Sequence, residues 1–339
     1  MSLLSAFITV CSGTQLTRDE WRFFQDARPA GLILFQRNCE TPEQVAALVA
    51  SFRDAVGRDN LLLLVDQEGG RVQRLKPPHW RALPPAAAFG ALYRDDPERG
   101  ARAALAASRL VAAELAELGI NMNCAPVLDL PMPGSHRVIG DRAYGMDVDS
   151  VATLGRAVAE GLMQGGVLPV IKHIPGHGRA TLDSHDALPH VEAPLAELDA
   201  HDFEVFRRLA DMPAAMTGHI VYSAVDPMRP ISTSPVAIES IIRRAIGFDG
   251  LLMCDDLGMK ALSGSVAERA DNVIEAGCDL ILHCNGSLAE RIEVAEASPL
   301  LEGDAERRYE AAFTRISGIH AFDATEAIAA LEAALVQRT

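Results

Sequence analysis

The sequence predicts an α/β protein folded as a single (β/α)8 TIM barrel. Three observations carry that expectation. Eight short apolar runs recur along the chain, helical segments lie between them, and no linker, low-complexity tract or charge block divides the 339 residues. An open doubly wound sheet would more often show five or six strands and a Gly-rich fingerprint after the first. Here residues 4–10 are followed by Cys11-Ser12-Gly13, and neither a GxGxxG nor a Walker sequence occurs. One catalytic domain spanning 1–339 is expected, ending in two helices within about 304–336.

The apolar runs occupy residues 4–10, 31–35, 61–65, 120–126, 168–171, 214–218, 251–254 and 279–283. Each has the length of a strand buried on both faces, as a parallel sheet requires. Between them stand helix signals. Thr17 with Glu20 and Thr41 with Gln44 fit capping boxes, and Pro42 occupies a first helical position. Asp96-Pro97 opens an Ala/Leu-rich segment closed by Gly119, whose stripe within 101–118 is core packing. Ser234-Pro235 opens another segment before Gly247. Helices over 304–318 and 324–336 finish the chain.

Composition excludes several classes. Hydrophobic residues make up 49% and charged residues 23%, enough for a large core. With 31 basic against 46 acidic residues the net charge is −15, so nucleic acid and anionic membrane surfaces are not expected partners. The six cysteines, Cys11, Cys39, Cys124, Cys254, Cys278 and Cys284, show no CxxC spacing and mostly adjoin apolar runs, which points to a reducing compartment. The apolar stretch from Ser2 to Val10 has no Lys or Arg before Arg18, and Val10-Cys11 makes a poor lipoprotein junction, so it reads as the first strand. No stretch reaches transmembrane length. The protein is expected to be soluble, cytoplasmic and monomeric.

A barrel places its chemistry at the C-terminal ends of its strands, and these ends are polar here: Asp66, Asp129, Lys172-His173, His219, Asp255-Asp256 and Asn285. That concentration of ionisable groups at one rim favours an enzyme over a binding scaffold. Two long strand-to-helix loops, 131–145 and 174–189, add to the rim. The second runs from Lys172-His173-Ile174-Pro175-Gly176-His177-Gly178 to Asp183-Ser184-His185, and an aspartate two positions from a histidine can orient it and raise its basicity. Gly176 and Gly178 permit hinge motion, so a polar lid over 174–189 is expected to open at low cost.

Val65-Asp66-Gln67-Glu68-Gly69-Gly70-Arg71, Lys172–Gly178 with Asp183-Ser184-His185, and Cys254-Asp255-Asp256-Leu257 together resemble glycoside hydrolase family 3. Within it they are most similar to the short bacterial β-N-acetylglucosaminidases of peptidoglycan recycling, and the chain has the length of members without the family's second domain. The resemblance implies a retaining hydrolase with Asp255 as nucleophile, His185 as proton donor and acceptor, and Asp183 as the partner that orients and tunes His185. It further implies that Asp66, Arg74, Arg142, Lys172 and His173 hold an N-acetylglucosamine unit. The implied substrate is a cytoplasmic muropeptide bearing N-acetylglucosamine on anhydro-N-acetylmuramic acid, with roles in cell wall biogenesis, cell shape and cell division. Ile174 stands where the family usually has an aromatic residue, and Cys254 where serine is usual.

Other readings accompany these. Asp256 is expected to cap a helix or bind backbone amides, Glu68 to satisfy loop amides, and His177 to shape its loop. His219 is balanced between the pocket and structural hydrogen bonding. His79, His136, His201, His283 and His320 are taken as surface or structural. A β-N-acetylglucosaminide phosphorylase on the same scaffold is the alternative, because a histidine acid/base would not repel phosphate as a carboxylate would. A metal-dependent hydrolase is a weaker rival. His173, His177, His185 and His190 crowd one loop, but no HxH or HExxH spacing appears, so neither metal nor cofactor is expected. A non-catalytic sugar-binding barrel would have no need of the Asp255 and Asp183-His185 motifs.

Overall fold

A computed structural model describes residues 4–316 and 321–336. Eight parallel strands form the centre: β1 (Ser5–Thr9), β2 (Pro29–Leu34), β3 (Leu62–Val65), β4 (Met122–Asn123), β5 (Leu168–Ile174), β6 (Ala214–Thr217), β7 (Leu251–Met253) and β8 (Ile281–Leu282). Their order is β7-β6-β5-β4-β3-β2-β1-β8, sequential around the sheet. Registers run in parallel, as in Gly31↔Leu62 through Leu34↔Val65 between β2 and β3 and Phe7↔Ile281 between β1 and β8. The seam between β7 and β8 is narrower, held by the bridge Met253↔Leu280 and by hydrogen bonds from Asp279 N to Leu252 O (2.8 Å) and Leu257 N to Leu282 O (2.9 Å). This is a (β/α)8 barrel, and all eight expected runs supply its strands. Nearly every strand residue is buried, which is why the runs are continuously apolar instead of alternating.

The outer ring follows the same local logic. Helix α1 (Arg18–Ala27) starts at a reciprocal Thr17–Glu20 capping box and buries Phe23 and Phe24. Glu20 is itself buried and pairs with Arg291 of the helix after β8 at 2.8 Å, so one carboxylate both caps the first helix and ties the first βα unit to the last. Helix α2 (Pro42–Val56) begins at Thr41, whose hydroxyl accepts from Gln44 N. The expected box is only half formed there, because the Gln44 side chain reaches Glu40 N, Asn38 O and Thr14 O instead of Thr41 N. Two helices, α3 (Ala86–Asp95) and α4 (Pro97–Glu117), follow β3, and α5 (Val148–Gln164) follows β4. Short helices α6 (Leu195–Ala200) and α7 (Asp202–Arg208) follow β5.

The segment opened by Ser234-Pro235 winds as a π-type helix over Ala237–Ala245 where an ordinary helix was expected. Helices α8 (Val266–Ala276) and α9 (Leu288–Ala297) complete the ring, and α10 (Gly303–Thr314) and α11 (Ala324–Val336) follow. The expected span 304–318 thus ends at Thr314, with residues 317 and 318 outside the described residues. All six cysteines are free. Among the described residues, no helix is long and apolar enough to cross a membrane.

Two departures bear on the site. β5 continues past Ile171 through Lys172 and His173 to Ile174, so these polar residues belong to the strand and not to the loop after it. The loop 131–145 is not structureless, since a 3-10 turn at Gly140–Arg142 aims Arg142 back toward the barrel mouth.

Candidate active site

A cavity of about 350 Å³ opens at the C-terminal ends of the strands, toward the small end of the ~300–1,000 Å³ range of ligand pockets. Its lining includes Asp66, Arg74, Arg142, Lys172, His173, Asp183, His185 and Asp255, so every residue the sequence singled out for the site faces one space.

One wall is an ion-pair lattice. Lys172 Nζ lies 2.8 Å from Asp66 Oδ1 and 2.7 Å from Glu68 Oε1. Arg74 Nη2 donates to Asp66 Oδ2 at 3.0 Å. Arg142 binds Glu68 in a two-pronged fork, Nε to Oε2 and Nη2 to Oε1, each at 2.8 Å. Glu68 therefore satisfies cations and not the loop amides expected of it; it is a wall residue that the sequence reading missed. Its signal was faint, a carboxylate one position beyond Gln67 in a Gly-rich turn. Burial alone would raise the Asp66 and Glu68 carboxyls, but the adjacent Lys172, Arg74 and Arg142 outweigh it and hold both below the usual range. Burial likewise disfavours the Lys172 ammonium, and its two carboxylates override that and raise its pKa. Each cation of this wall faces a carboxylate, while the buried Nε of Arg74 has no partner among the described residues.

The wall is built by a turn that only glycine can make. Gly69 and Gly70 both adopt positive φ (102° and 56°), and a Cβ on Gly69 would meet Pro84 O at 2.4 Å. That tight turn joins the antiparallel pieces Gln67–Gly69 and Val72–Gln73, which place Glu68 and Arg74 over the same strand end. Arg71, at the turn's tip, donates to Val138 O and, at 3.2 Å, to Asp141 Oδ1, pinning the loop that carries Arg142.

Opposite lie the carboxylates after β7. Asp255 lines the cavity, and its Oδ1 accepts from Asp256 N at 2.8 Å. Asp256 binds amides as expected: Oδ1 accepts from Gly258 N (3.0 Å) and Cys284 N (2.8 Å), and Oδ2 from Asn285 Nδ2 (3.0 Å). His219 is buried away from the cavity, with Nδ1 2.7 Å from Ser232 Oγ and Nε2 3.0 Å from Asp256 O, so the structural alternative holds.

The loop after β5 supplies the remaining groups. Asp183 Oδ1 accepts from His185 N at 3.0 Å and lies 2.9 Å from His185 Nδ1. Burial would raise Asp183, yet these two contacts keep its carboxyl lowered. The expected hinge is misplaced. Gly176, His177, Gly178 and Ala180 are buried, and a Cβ on Gly178 would meet Leu130 O at 1.9 Å. Arg179 is tied to Asp202 and Glu197 at 2.6 Å each. The glycines serve close packing, and only the stretch from Thr181 to Asp186 is mainly exposed. His177 is an interior residue, as expected; burial, with His173 nearby, pushes its imidazole down to about 4. Among the described residues no group of three or more His, Cys, Asp or Glu side chains could hold a metal ion.

Residues 8–318 match the glycosyl hydrolase family 3 N-terminal domain. A protein of Bordetella parapertussis named beta-hexosaminidase is 38% identical over 300 residues, covering 86% of this chain and 84% of its own length. One of the same name from Methylococcus capsulatus is 40% identical over 296 residues, covering 85% and 86%. Among solved structures, NagZ of Neisseria gonorrhoeae in complex with N-trifluoroacetyl-D-glucosamine superposes with a TM-score of 0.86 at 33% identity, covering 99% of this chain and 97% of its own. A family 3 beta-N-acetylglucosaminidase of Paenibacillus gives 0.86 at 31% identity, covering 97% of this chain and 66% of its own.

Proposed function

Because the chain belongs to glycosyl hydrolase family 3 and is a glycoside hydrolase, we propose that it is a retaining β-N-acetylglucosaminidase. The observation that carries this reading is the meeting of Asp255 and the Asp183–His185 pair in one cavity, facing a wall whose cations are already matched by carboxylates. Such a wall suits a neutral polyol, because its N–H groups can bind hydroxyl and acetamido oxygens without demanding an anion. Asp66, Arg74, Arg142, Lys172 and His173 are the proposed sugar-binding residues.

In the proposed reaction the Asp255 carboxylate attacks the anomeric carbon while the bond to the leaving oxygen breaks, and protonated His185 gives its proton to that oxygen. A glycosyl ester on Asp255 results. Neutral His185 then takes a proton from water as the oxygen attacks the same carbon, and Asp255 leaves as carboxylate. Asp183 holds His185 Nδ1, which directs Nε2 away from it. A histidine serves here because its charged form is attracted to the Asp255 carboxylate, where a second carboxylate would be repelled.

The proposed natural substrate is a muropeptide carrying N-acetylglucosamine on anhydro-N-acetylmuramic acid, in the cytoplasm. The test is product analysis on a chromogenic β-N-acetylglucosaminide with phosphate varied, together with trapping by a slow 2-deoxy-2-fluoro substrate. The reading expects free N-acetylglucosamine at a rate independent of phosphate, and label on Asp255. A sugar 1-phosphate would convert the assignment to a phosphorylase, and label on Asp256 or Glu68 would overturn the nucleophile.

A further inference from the structure

A second aspartate–histidine pair puts its histidine on the same cavity and its aspartate beneath it, and nothing in the proposed reaction uses that aspartate. Asp129, just beyond β4, is wholly buried and makes three contacts. Its Oδ2 lies 2.7 Å from His173 Nδ1, and its Oδ1 accepts from His177 N at 2.6 Å and from His173 N at 3.2 Å. We propose that Asp129 is a positioning residue that fixes His173 with its proton on Nδ1, leaving Nε2 as the cavity-facing acceptor for one hydroxyl of the substrate.

The chemistry of the wall explains why such an acceptor matters. Lys172, Arg74 and Arg142 are donors only, and the carboxylate oxygens of Asp66 and Glu68 already accept from them. A sugar hydroxyl that accepts from these cations still has its own hydrogen to place. An imidazole with Nδ1 turned to a carboxylate presents a lone pair at Nε2, and a two-point hold on a ring and on its own backbone amide leaves that lone pair little freedom. The same carboxylate binds the amide of His177, so it also anchors the start of the chain segment that later delivers Asp183 and His185. Burial would raise the Asp129 carboxyl, but the His173 ring beside it and the amide it binds hold it below the usual range, so it stays an acceptor.

The inference rests on the proposed sugar site, and its test separates the two. Asp129→Asn keeps one oxygen for the two amides and replaces the other by an NH2 group, which forces the His173 proton to Nε2. Nitrogen-15 NMR of histidine-labelled protein without substrate should show the Nδ1–H form of His173 in the wild type and the Nε2–H form in the variant. An unchanged tautomer, or an Nε2–H wild type, overturns the proposal whatever the substrate proves to be. Kinetically, KM for a chromogenic N-acetylglucosaminide should rise about tenfold with kcat little changed, the scale of one lost hydrogen bond. Removing one ring hydroxyl from that substrate should cost the wild type the same factor and the variant nothing. Asp129→Asn and His173→Gln should combine without adding, and thermal unfolding should show that both variants fold. Full additivity would mean that Asp129 acts elsewhere and would sink the idea.

Discussion

Two aspartate–histidine pairs each bring a histidine to the cavity and differ in almost every physical respect. Asp129 and His173 expose 0% and 8% of their side chains and sit in the segment after β4 and near the end of β5; Asp183 and His185 expose 23% and 64% and sit on a loop. The contact distances are nearly equal, 2.7 Å and 2.9 Å, so the pairing itself is not what separates them. What differs is the surroundings. The buried carboxylate accepts from two backbone amides besides the ring, whereas Asp183 accepts from the amide and the ring of the one residue it serves. In the proposed reading, the same two residue types make a fixed binding group in one place and an adaptable proton carrier in the other. A binding group gains from immobility, because every lost degree of freedom is removed before the sugar arrives. An acid/base that must serve first the leaving oxygen and then a water gains from access to solvent.

The largest effect that would sharpen this contrast is expected at the exposed pair. His185→Ala should lower kcat by roughly 10²–10⁴-fold, the usual worth of general acid–base catalysis. Unfolding should shift by less than about 0.5 kcal/mol, as for surface substitutions generally. Substrates whose leaving group needs no proton should suffer least in the glycosylation step. Full turnover by the variant on an alkyl glycoside would remove His185 from the mechanism.

The opposite signature is expected at the buried pair. Asp129→Ala leaves the His173 ring and two amides without their acceptor, so the free energy of unfolding should fall by about 3 kcal/mol or more. Urea denaturation measures this directly. A cost as small as that of His185→Ala would erase the distinction between a framework pair and a working pair.

A smaller effect is expected from Asp183→Asn, which keeps an oxygen for the His185 amide but favours the wrong ring tautomer. A loss in kcat of about 10–100-fold fits an exposed pair, whose imidazole can reorient in water. A pH–rate profile, set against that of wild type, separates a change in protonation from a change in fold. A loss equal to that of His185→Ala would show the loop to be far more rigid than its exposure suggests.

How much of this was written in the chain varies with the physics of each feature. The eight strands were legible because a strand buried on both faces must be apolar throughout. The end of β5 was not, because Lys172 inside a barrel strand is tolerated only through Asp66 and Glu68, which arrive from another βα unit. Asp66 and Asp129 look alike in sequence, each following an apolar run. Only packing decides that the first faces the cavity while the second turns beneath it toward His173. The loop after β5 misled in the other direction. Gly176 and Gly178 suggested hinges, but Gly178 is there because Leu130 leaves no room for a side chain.

Acid titration gives the last and smallest test of the contrast, and its sign follows from the carboxyls. Asp129 moves from an ordinary 3.8 to about 2 in the folded protein, burial opposing the shift and His173 with the amides imposing it. A carboxyl lowered on folding contributes stability that is fully present above its unfolded value and is lost as pH falls through its folded one. The contribution is about 2 kcal/mol at neutral pH and about half of that near pH 3. Asp183 is also lowered, in the same direction, but it is partly exposed, its partner His185 is open to water, and its hold is screened. Stability curves at several pH values should therefore show the gap between wild type and Asp129→Asn narrowing as pH falls from about 5 to about 3, because over that range the carboxyl of the unfolded chain takes up a proton while the folded one stays charged. The gap between wild type and Asp183→Asn should stay small throughout. A gap for Asp129→Asn that is unchanged at pH 3 would mean that its carboxylate charge is not what holds His173, and that the buried pair is maintained by shape alone.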